Sequence, residues 1–247
     1  APSFTVSLQP WQEQLLFLRL MYKSTFRMPT FNDLYYYRLG NRSLRPEKAN
    51  EYNMGITWSR SFSSFLNYLS VTVDGYYNDV TDKIVAFPTT YAWKMANYGK
   101  VHVTGMDATL AAAASLGKNM VLVVSGGYTW QKAIDLTDAT SKSYKDQLPY
   151  TPKHSGNVSA VLEMPWVNVG YSIVGVSERY SMSQNIPENR IDGYMEHTVS
   201  LSRNFSFRHC KLRLQAEIIN LTDTQYDVIK YYPMPGRSWR LTGTIEF

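Results

Sequence analysis

Arg237-Ser238-Trp239-Arg240-Leu241-Thr242-Gly243-Thr244-Ile245-Glu246-Phe247, the last stretch of the sequence, alternates strictly between two kinds of residue. Side chains along a strand point to opposite faces in turn, so Trp239, Leu241, Gly243, Ile245 and Phe247 share one face and Ser238, Arg240, Thr242, Thr244 and Glu246 the other. A long strand that is apolar on one side, polar or charged on the other and ends on an aromatic is what the closing strand of a transmembrane β-barrel requires.

The rest of the sequence is consistent with that reading. It contains no run of about eighteen apolar residues that would make a spanning helix, since even Leu15 to Met21 is interrupted by Arg19. A closed barrel is the other way to satisfy every backbone group in hydrocarbon. Mean hydropathy is -0.30, as expected when lipid-facing side chains alternate with water-facing ones and polar loops dilute both. Nineteen tyrosines and six tryptophans suit the two membrane interfaces, where amphipathic rings settle, although a β-sandwich also favours tyrosine. The net charge of +5 is scattered and not massed in one segment, which argues against nucleic acid. The single cysteine, Cys210, excludes an internal disulfide framework and a cysteine-based zinc cluster. Ala1-Pro2-Ser3-Phe4 shows no basic or apolar signal region, so we expect a mature piece or a fragment of something longer.

Alternation recurs along the chain between connections that are alternately short and long, which predicts about eleven antiparallel strands in one unit covering residues 1–247. The expected strands are Phe4 to Leu8, Gln14 to Phe26, Asn50 to Arg60, Leu69 to Val80, Lys100 to Ala113, Met120 to Trp130, Ser155 to Glu163, Trp166 to Val176, Asp192 to Phe207, Lys211 to Asn220 and the terminal one. Long connections are expected at Arg27 to Lys48, Thr81 to Asn97 and Lys132 to Pro152. In Lys211 to Glu217 the faces separate fully, Lys211, Arg213, Gln215 and Glu217 against Leu212, Leu214 and Ala216. Arg19, Lys23, Asp74, Asp107, Arg240 and Glu246 lie on the same polar face, as solvated wall charges, as cross-strand ladders or as a docking face for a plug. The asymmetry of short turns and long polar loops is that of bacterial outer-membrane barrels.

The loops add more specific wording. Phe26-Arg27-Met28-Pro29-Thr30-Phe31-Asn32-Asp33-Leu34-Tyr35-Tyr36, Gly40 to Lys48, Tyr77-Asn78-Asp79-Val80-Thr81-Asp82-Lys83-Ile84, Asn97 to Val101, Gly105-Met106-Asp107, Pro149 to His154, Ile219 to Tyr226 and Tyr232 to Arg237 follow one another in an order that resembles the C-terminal part of a TonB-dependent outer-membrane receptor, nearest to cobalamin-receptor-like members of a Bacteroides type. Haem receptors share a Phe-Arg-x-Pro box and an Asn-x-x-Leu box, matched by Phe26 to Pro29 and Asn41 to Leu44. No histidine lies between Phe31 and Gly40, which removes the expected haem ligand.

The resemblance implies an all-β, up-and-down transmembrane barrel of the Gram-negative outer membrane, of which this chain supplies roughly half of about 22 strands. The N-terminal plug and the first barrel half are expected elsewhere, as is the N-terminal region through which TonB acts. The implied task is import of a scarce large nutrient, cobalamin or another corrinoid first and a ferric siderophore second. The rival from another class is a passive porin or adhesin, and a soluble β-sandwich comes third. Tyr35, Tyr36, Tyr37, Arg38, Tyr91, Trp93, Tyr231 and Tyr232 are the ligand-binding candidates, since stacked rings and a cation hold a large organic molecule by its apolar faces and acidic edges. The same rings also fit an interfacial belt. His102 and His154 are read as ordinary polar residues. No cofactor, metal or catalytic residue is assigned, because Asp33, Asp79 and Asp82 are scattered without a paired base or calcium-loop spacing and no nucleophile elbow is present. Two open strand edges should invite pairing with the missing half or with a second copy.

Overall fold

The structure is a computed structural model that describes residues 1–11, 15–63, 65–88, 92–117, 119–208 and 210–246. In chain order its elements are β1 (Ser3–Leu8), β2 (Leu15–Arg27), α1 (Phe31–Tyr35), β3 (Glu47–Ser61), β4 (Leu66–Pro88), β5 (Trp93–Gly117), β6 (Met120–Asp135), β7 (His154–Glu163), β8 (Asn168–Val176), β9 (Arg179–Tyr180), a 3-10 turn (Pro187–Asn189), β10 (Arg190–Ile191), β11 (Tyr194–Ser206), β12 (Lys211–Ile219), β13 (Asp227–Ile229), β14 (Tyr232–Pro233) and β15 (Ser238–Glu246). Eleven of them form one sheet in the order β1-β2-β3-β4-β5-β6-β7-β8-β11-β12-β15. Every ladder in it is antiparallel, so the chain runs up and down and each strand meets its neighbour in sequence. The four short strands pair as β9 with β10 and β13 with β14, inside long connections. Among the described residues β1 and β15 each have one partner, which leaves two open edges. Among the described residues no helix is long and apolar enough to cross a membrane.

Register fixes the two faces. Between β12 and β15, Leu212 faces Ile245, Ala216 faces Leu241 and Ile218 faces Trp239, while Glu217 faces Arg240 and Gln215 faces Thr242 on the other side. The apolar side is continuous across the sheet: Leu20, Met54, Ile56, Leu110, Val158, Leu201, Leu214, Trp239, Leu241 and Ile245 all stay exposed, Leu241 at 81%. Water-soluble monomers rarely leave so broad an apolar surface open, whereas hydrocarbon is its natural solvent. The opposite side carries short polar ladders, Thr57 with Thr72 at 3.1 Å, Ser59 with Ser70 at 2.8 Å and Arg19 with Asp74 at 3.1 Å. Gly55 lies between these last two. A Cβ there would come 2.1 Å from Asp74 Oδ1 and 3.2 Å from Arg19 Nη2, so the ion pair crosses β3 only because that position has no side chain.

The small buried cluster, Ala49, Val80, Val101, Val103, Ala133 and Leu148, lies on the polar side by alternation with Asp74 and Asp107. Leu148 comes from the connection between β6 and β7. A long connection that packs on the polar face marks it as the inner wall, and the apolar face is then the outer one.

The two ends differ. Short connections join β1 to β2, β3 to β4, β5 to β6, β7 to β8 and β11 to β12 at one end; residues 28–46, 136–153, 177–193 and 220–237 make long connections at the other. Residues 81–97, read from sequence as a loop, are mostly ladder: β4 and β5 stay paired from Lys83 with Tyr98 out to Pro88 with Trp93. Asp82 takes a left-handed φ of 54° and drops out of the ladder, which interrupts the alternation at the point where the sequence reading ended the strand. The hairpin projects as an arm past its neighbours. Tyr91, Phe247 and the expected strand start at Gln14 lie outside the described residues.

Candidate functional site

The long connections join into a continuous rim at one mouth of the wall, each fastened to the next. The first, residues 28–46, opens with α1. Thr30 caps the helix by accepting from the Asp33 amide at 3.2 Å, and the Asp33 carboxylate accepts from the Thr30 amide at 2.9 Å and from Arg27 at 2.8 Å. This reciprocal cap satisfies amides that a five-residue helix would otherwise leave bare. Burial alone would raise the Asp33 pKa, but the amide and hydroxyl of Thr30 and the Arg27 guanidinium outweigh it and hold the carboxyl below its ordinary value. The loop then rests on the arm. Met95 donates to the Leu39 carbonyl at 2.9 Å, Asn41 donates to the Met95 carbonyl at 3.0 Å, and Asn97 bridges Arg45 and Asp82. Gly40 permits this path, since a Cβ would meet Leu34 and Tyr35 backbone at 2.7 Å.

Trp93, at the tip of the arm, packs on Tyr150 with ring centroids 5.6 Å apart, which carries the rim into residues 136–153. That loop is held by Gln147, 4% exposed, which accepts from the Ala133 amide and donates to the carbonyls of Gln131 and Thr151. Its backbone pairs with the Asn185 side chain at 2.8 and 3.0 Å, tying in residues 177–193, and Tyr98 meets Ser183 at 2.7 Å. Arg179, also 4% exposed, donates to the carbonyls of Asp227 and Val228 at 2.6 and 3.0 Å and so fastens residues 220–237. Tyr194 stacks on Tyr226 at 3.9 Å, and the Tyr226 hydroxyl donates to Glu196 at 2.6 Å. Burial first, and the hydrogen bond to Glu196 second, push the Tyr226 pKa far up.

The sequence-predicted candidates are distributed along this rim. Tyr35, Tyr36 and Tyr37 stay exposed on the first loop, Tyr37 at 79%, with Arg38 over the Tyr37 ring and Arg42 over that of Tyr35, each at 5.1 Å. Trp93 is half engaged with Tyr150. Tyr231 and Tyr232 are exposed at 81% and 69% on the last loop. No ring contact joins the three groups among the described residues; what joins them is the polar fastening between loops. Gln147, Asn185, Arg179 and Tyr98, which supply it, were not singled out from sequence. Among the described residues no group of three His, Cys, Asp or Glu side chains is placed to hold a metal. His102 and His154, with His197, instead hydrogen-bond tyrosines Tyr77, Tyr128 and Tyr171 at 3.2, 2.7 and 2.6 Å, on the outer face.

Residues 1–221 match the family described as TonB dependent receptor-like, beta-barrel. The chain belongs to this family. It is similar to the Vitamin B12 transporter BtuB of Photobacterium profundum, 26% identical over 230 residues that make up 90% of this chain and 34% of that protein. BtuB of Vibrio vulnificus is 26% identical over 231 residues, 90% of this chain and 33% of that protein. In fold the chain is similar to the ferric citrate transporter FecA, with a TM-score of 0.75 at 15% identity over 98% of this chain and 37% of that one. The Ferric-Catecholate import receptor Fiu from K12 E. coli gives 0.70 at 21% identity over 98% and 34%. The chain spans about a third of the length of the curated relatives it matches. Members of the family are β-barrels of the Gram-negative outer membrane, which places the apolar wall in lipid.

Family wording in the sequence now has physical content. In Asn220-Leu221-Thr222-Asp223, Asn220 is 1% exposed with a φ of 53°, and its amide clamps Thr224 through both the backbone N–H and the carbonyl at 2.9 Å. Asp223 accepts from the Arg237 amide at 2.8 Å, and a Cβ on Gly236 would lie 2.6 Å from that carboxylate. The two motifs, distant in sequence, are therefore the two halves of one clamp at the neck of the last loop.

Proposed function

We propose that this chain is the C-terminal barrel portion of a TonB-dependent receptor that captures and imports a scarce large nutrient, a cobalamin or related corrinoid before a ferric siderophore. The observation that carries the reading is the interlocked rim of long loops standing over a polar inner wall, in a barrel of this family. Tyr35, Tyr36, Tyr37, Arg38, Trp93, Tyr231 and Tyr232 line the mouth as contacts for apolar faces and acidic edges of the ligand. The inner wall, with the Arg19–Asp74 pair and Asp107, receives the plug. TonB acts through the N-terminal region of the same receptor, and the remaining barrel strands close the two open edges. The role is binding and passage, not catalysis.

The cobalamin preference is supported by the two transporters named above, both for vitamin B12; the siderophore option is supported by the fold neighbours. The test is uptake and surface binding of cyanocobalamin and of ferric citrate by cells carrying the full-length receptor, with and without TonB. Saturable, TonB-dependent uptake of one ligand is expected, and it should weaken when Tyr36, Tyr37 and Tyr232 are changed to Ala together. Unsaturable uptake that ignores TonB would instead establish a passive channel.

A further inference from the structure

The outer face of β2 to β6 holds more than the aromatic belt a barrel needs. On it Tyr22, Tyr52 and Tyr77 stand in register across β2, β3 and β4, with ring centroids 5.1 and 6.3 Å apart. Directly below that row, away from the long loops, Gly75 faces Met54 and Met106 in the two ladders. The missing side chain opens a groove of about 490 Å³ bordered by Leu20, Tyr22, Tyr52, Met54 and Tyr77. A Cβ on Gly75 would meet nothing nearer than the Met54 carbonyl at 4.0 Å, so neither a turn nor a close backbone approach accounts for the glycine.

Above the row, toward the long loops, the same face turns basic. Lys48 lies four residues beyond Tyr52, about 13 Å along the strand. Lys132 lies four beyond Tyr128 on β6, and Lys100 lies two beyond His102 on β5. Lys48 and Lys100 flank Thr81 in adjacent ladders, which sets their strands roughly 10 Å apart. All three lysines are exposed, and among the described residues none has a carboxylate partner. Among the described residues the acid on this stretch of wall is Asp79, whose Oδ1 lies 3.3 Å from His102 Nε2. Lysines at this height reach headgroups with their ammonium groups while their methylene stems stay on the apolar wall.

We propose that this wall is a binding site for one outer-leaflet lipid whose headgroup carries at least two phosphates, with an acyl chain in the groove over Gly75 and the phosphates on Lys48, Lys100 and Lys132. The inference rests on the assignment of the apolar face to lipid. The spread of three unpaired cations over four strands fits a large, multiply charged head and exceeds what a single phosphate needs. The tyrosine hydroxyls between groove and lysines sit at the polar boundary of that lipid.

The test is native mass spectrometry of the full-length receptor in detergent, with bisphosphorylated lipid A as probe and its dephosphorylated form and phosphatidylcholine as comparisons. Wild type should retain bisphosphorylated lipid A at least about tenfold over either comparison lipid, and Lys48→Glu/Lys100→Glu/Lys132→Glu should lose that margin. Gly75→Leu, which the open space over the glycine accommodates, should lose several-fold while heat-modifiable gel mobility reports an intact barrel. Equal retention of phosphorylated and dephosphorylated lipid by wild type overturns the proposal without any variant, and so does full retention by the folded triple variant. A receptor found in the aqueous fraction would refute the lipid-facing wall itself, and the site with it.

Discussion

Replacing Asn220 tests how the last loop is held. The side chain makes two good hydrogen bonds to Thr224, both 2.9 Å, from a position 1% exposed. Asn220→Ala leaves the Thr224 amide and carbonyl without partners, at about 1–3 kcal/mol each. It also leaves a φ of 53° on a residue that disfavours the left-handed region by about 1–2 kcal/mol, a cost asparagine largely avoids. The sum is about 3–8 kcal/mol, at least about a hundredfold in the equilibrium for local opening of the neck. Asn220→Gly keeps the backbone freedom and loses only the hydrogen bonds, so it should fall short of the alanine effect by about 1–2 kcal/mol. Hydrogen exchange across residues 220–237 of the full-length receptor reads this directly. The amides of Thr224 and Arg237 should lose protection together, because Asp223 couples them through Gly236. Exchange in the alanine variant within about twofold of wild type, or a glycine variant opening as readily as alanine, would refute the clamp.

Three further outcomes follow from other parts of the molecule. Leu241→Arg places a charge on the lipid face and should lower folded yield in membranes by about 2–4 kcal/mol in equivalent stability, whereas Thr242→Arg, one residue on and facing the lumen, should stay within about 0.5 kcal/mol; equal effects would show that the faces are misassigned. Because the Asp33 carboxyl is held below its ordinary value, its contribution to α1 is present above the unfolded pKa of about 3.9 and is lost as pH falls through the lower folded value. Exchange of the α1 amides, corrected for intrinsic rate, should therefore accelerate below about pH 4, and Asp33→Asn should abolish that dependence. The Arg19–Asp74 pair, with side chains 43% and 24% exposed, should contribute no more than about 1 kcal/mol in a double-mutant cycle of thermal unfolding, and a coupling of several kcal/mol would indicate a drier lumen than the open wall presents.

The strand count, the antiparallel order and the assignment of faces were legible in the sequence because each strand must repeat the same two-residue period while one side meets hydrocarbon. That constraint ends at the membrane boundary, and so did the sequence reading. Residues 81–97 lie where both faces of the β4–β5 arm are free of lipid, so alternation no longer separates strand from loop. The helix α1 is too short to show a period, although Thr30 and Asp33 carry the spacing of a reciprocal cap. The aromatic candidates were legible by composition. The polar residues that fix their relative places were not, since Gln147 meets Asn185 and Tyr98 meets Ser183 only through the register of strands far apart in sequence.

The open edges set a condition on any membrane-inserted state. In an antiparallel strand every second residue directs its N–H and C=O away from its partner, so β15, with nine residues and β12 on one side only, turns about eight polar groups toward whatever lies beyond it. Each costs several kcal/mol if it meets hydrocarbon. The total for one edge alone exceeds the roughly 5–15 kcal/mol by which an ordinary fold is stable, and no packing on the apolar face offsets it, because lipid contacts are present with or without the edge. The wall therefore resides in a bilayer only when both edges are paired.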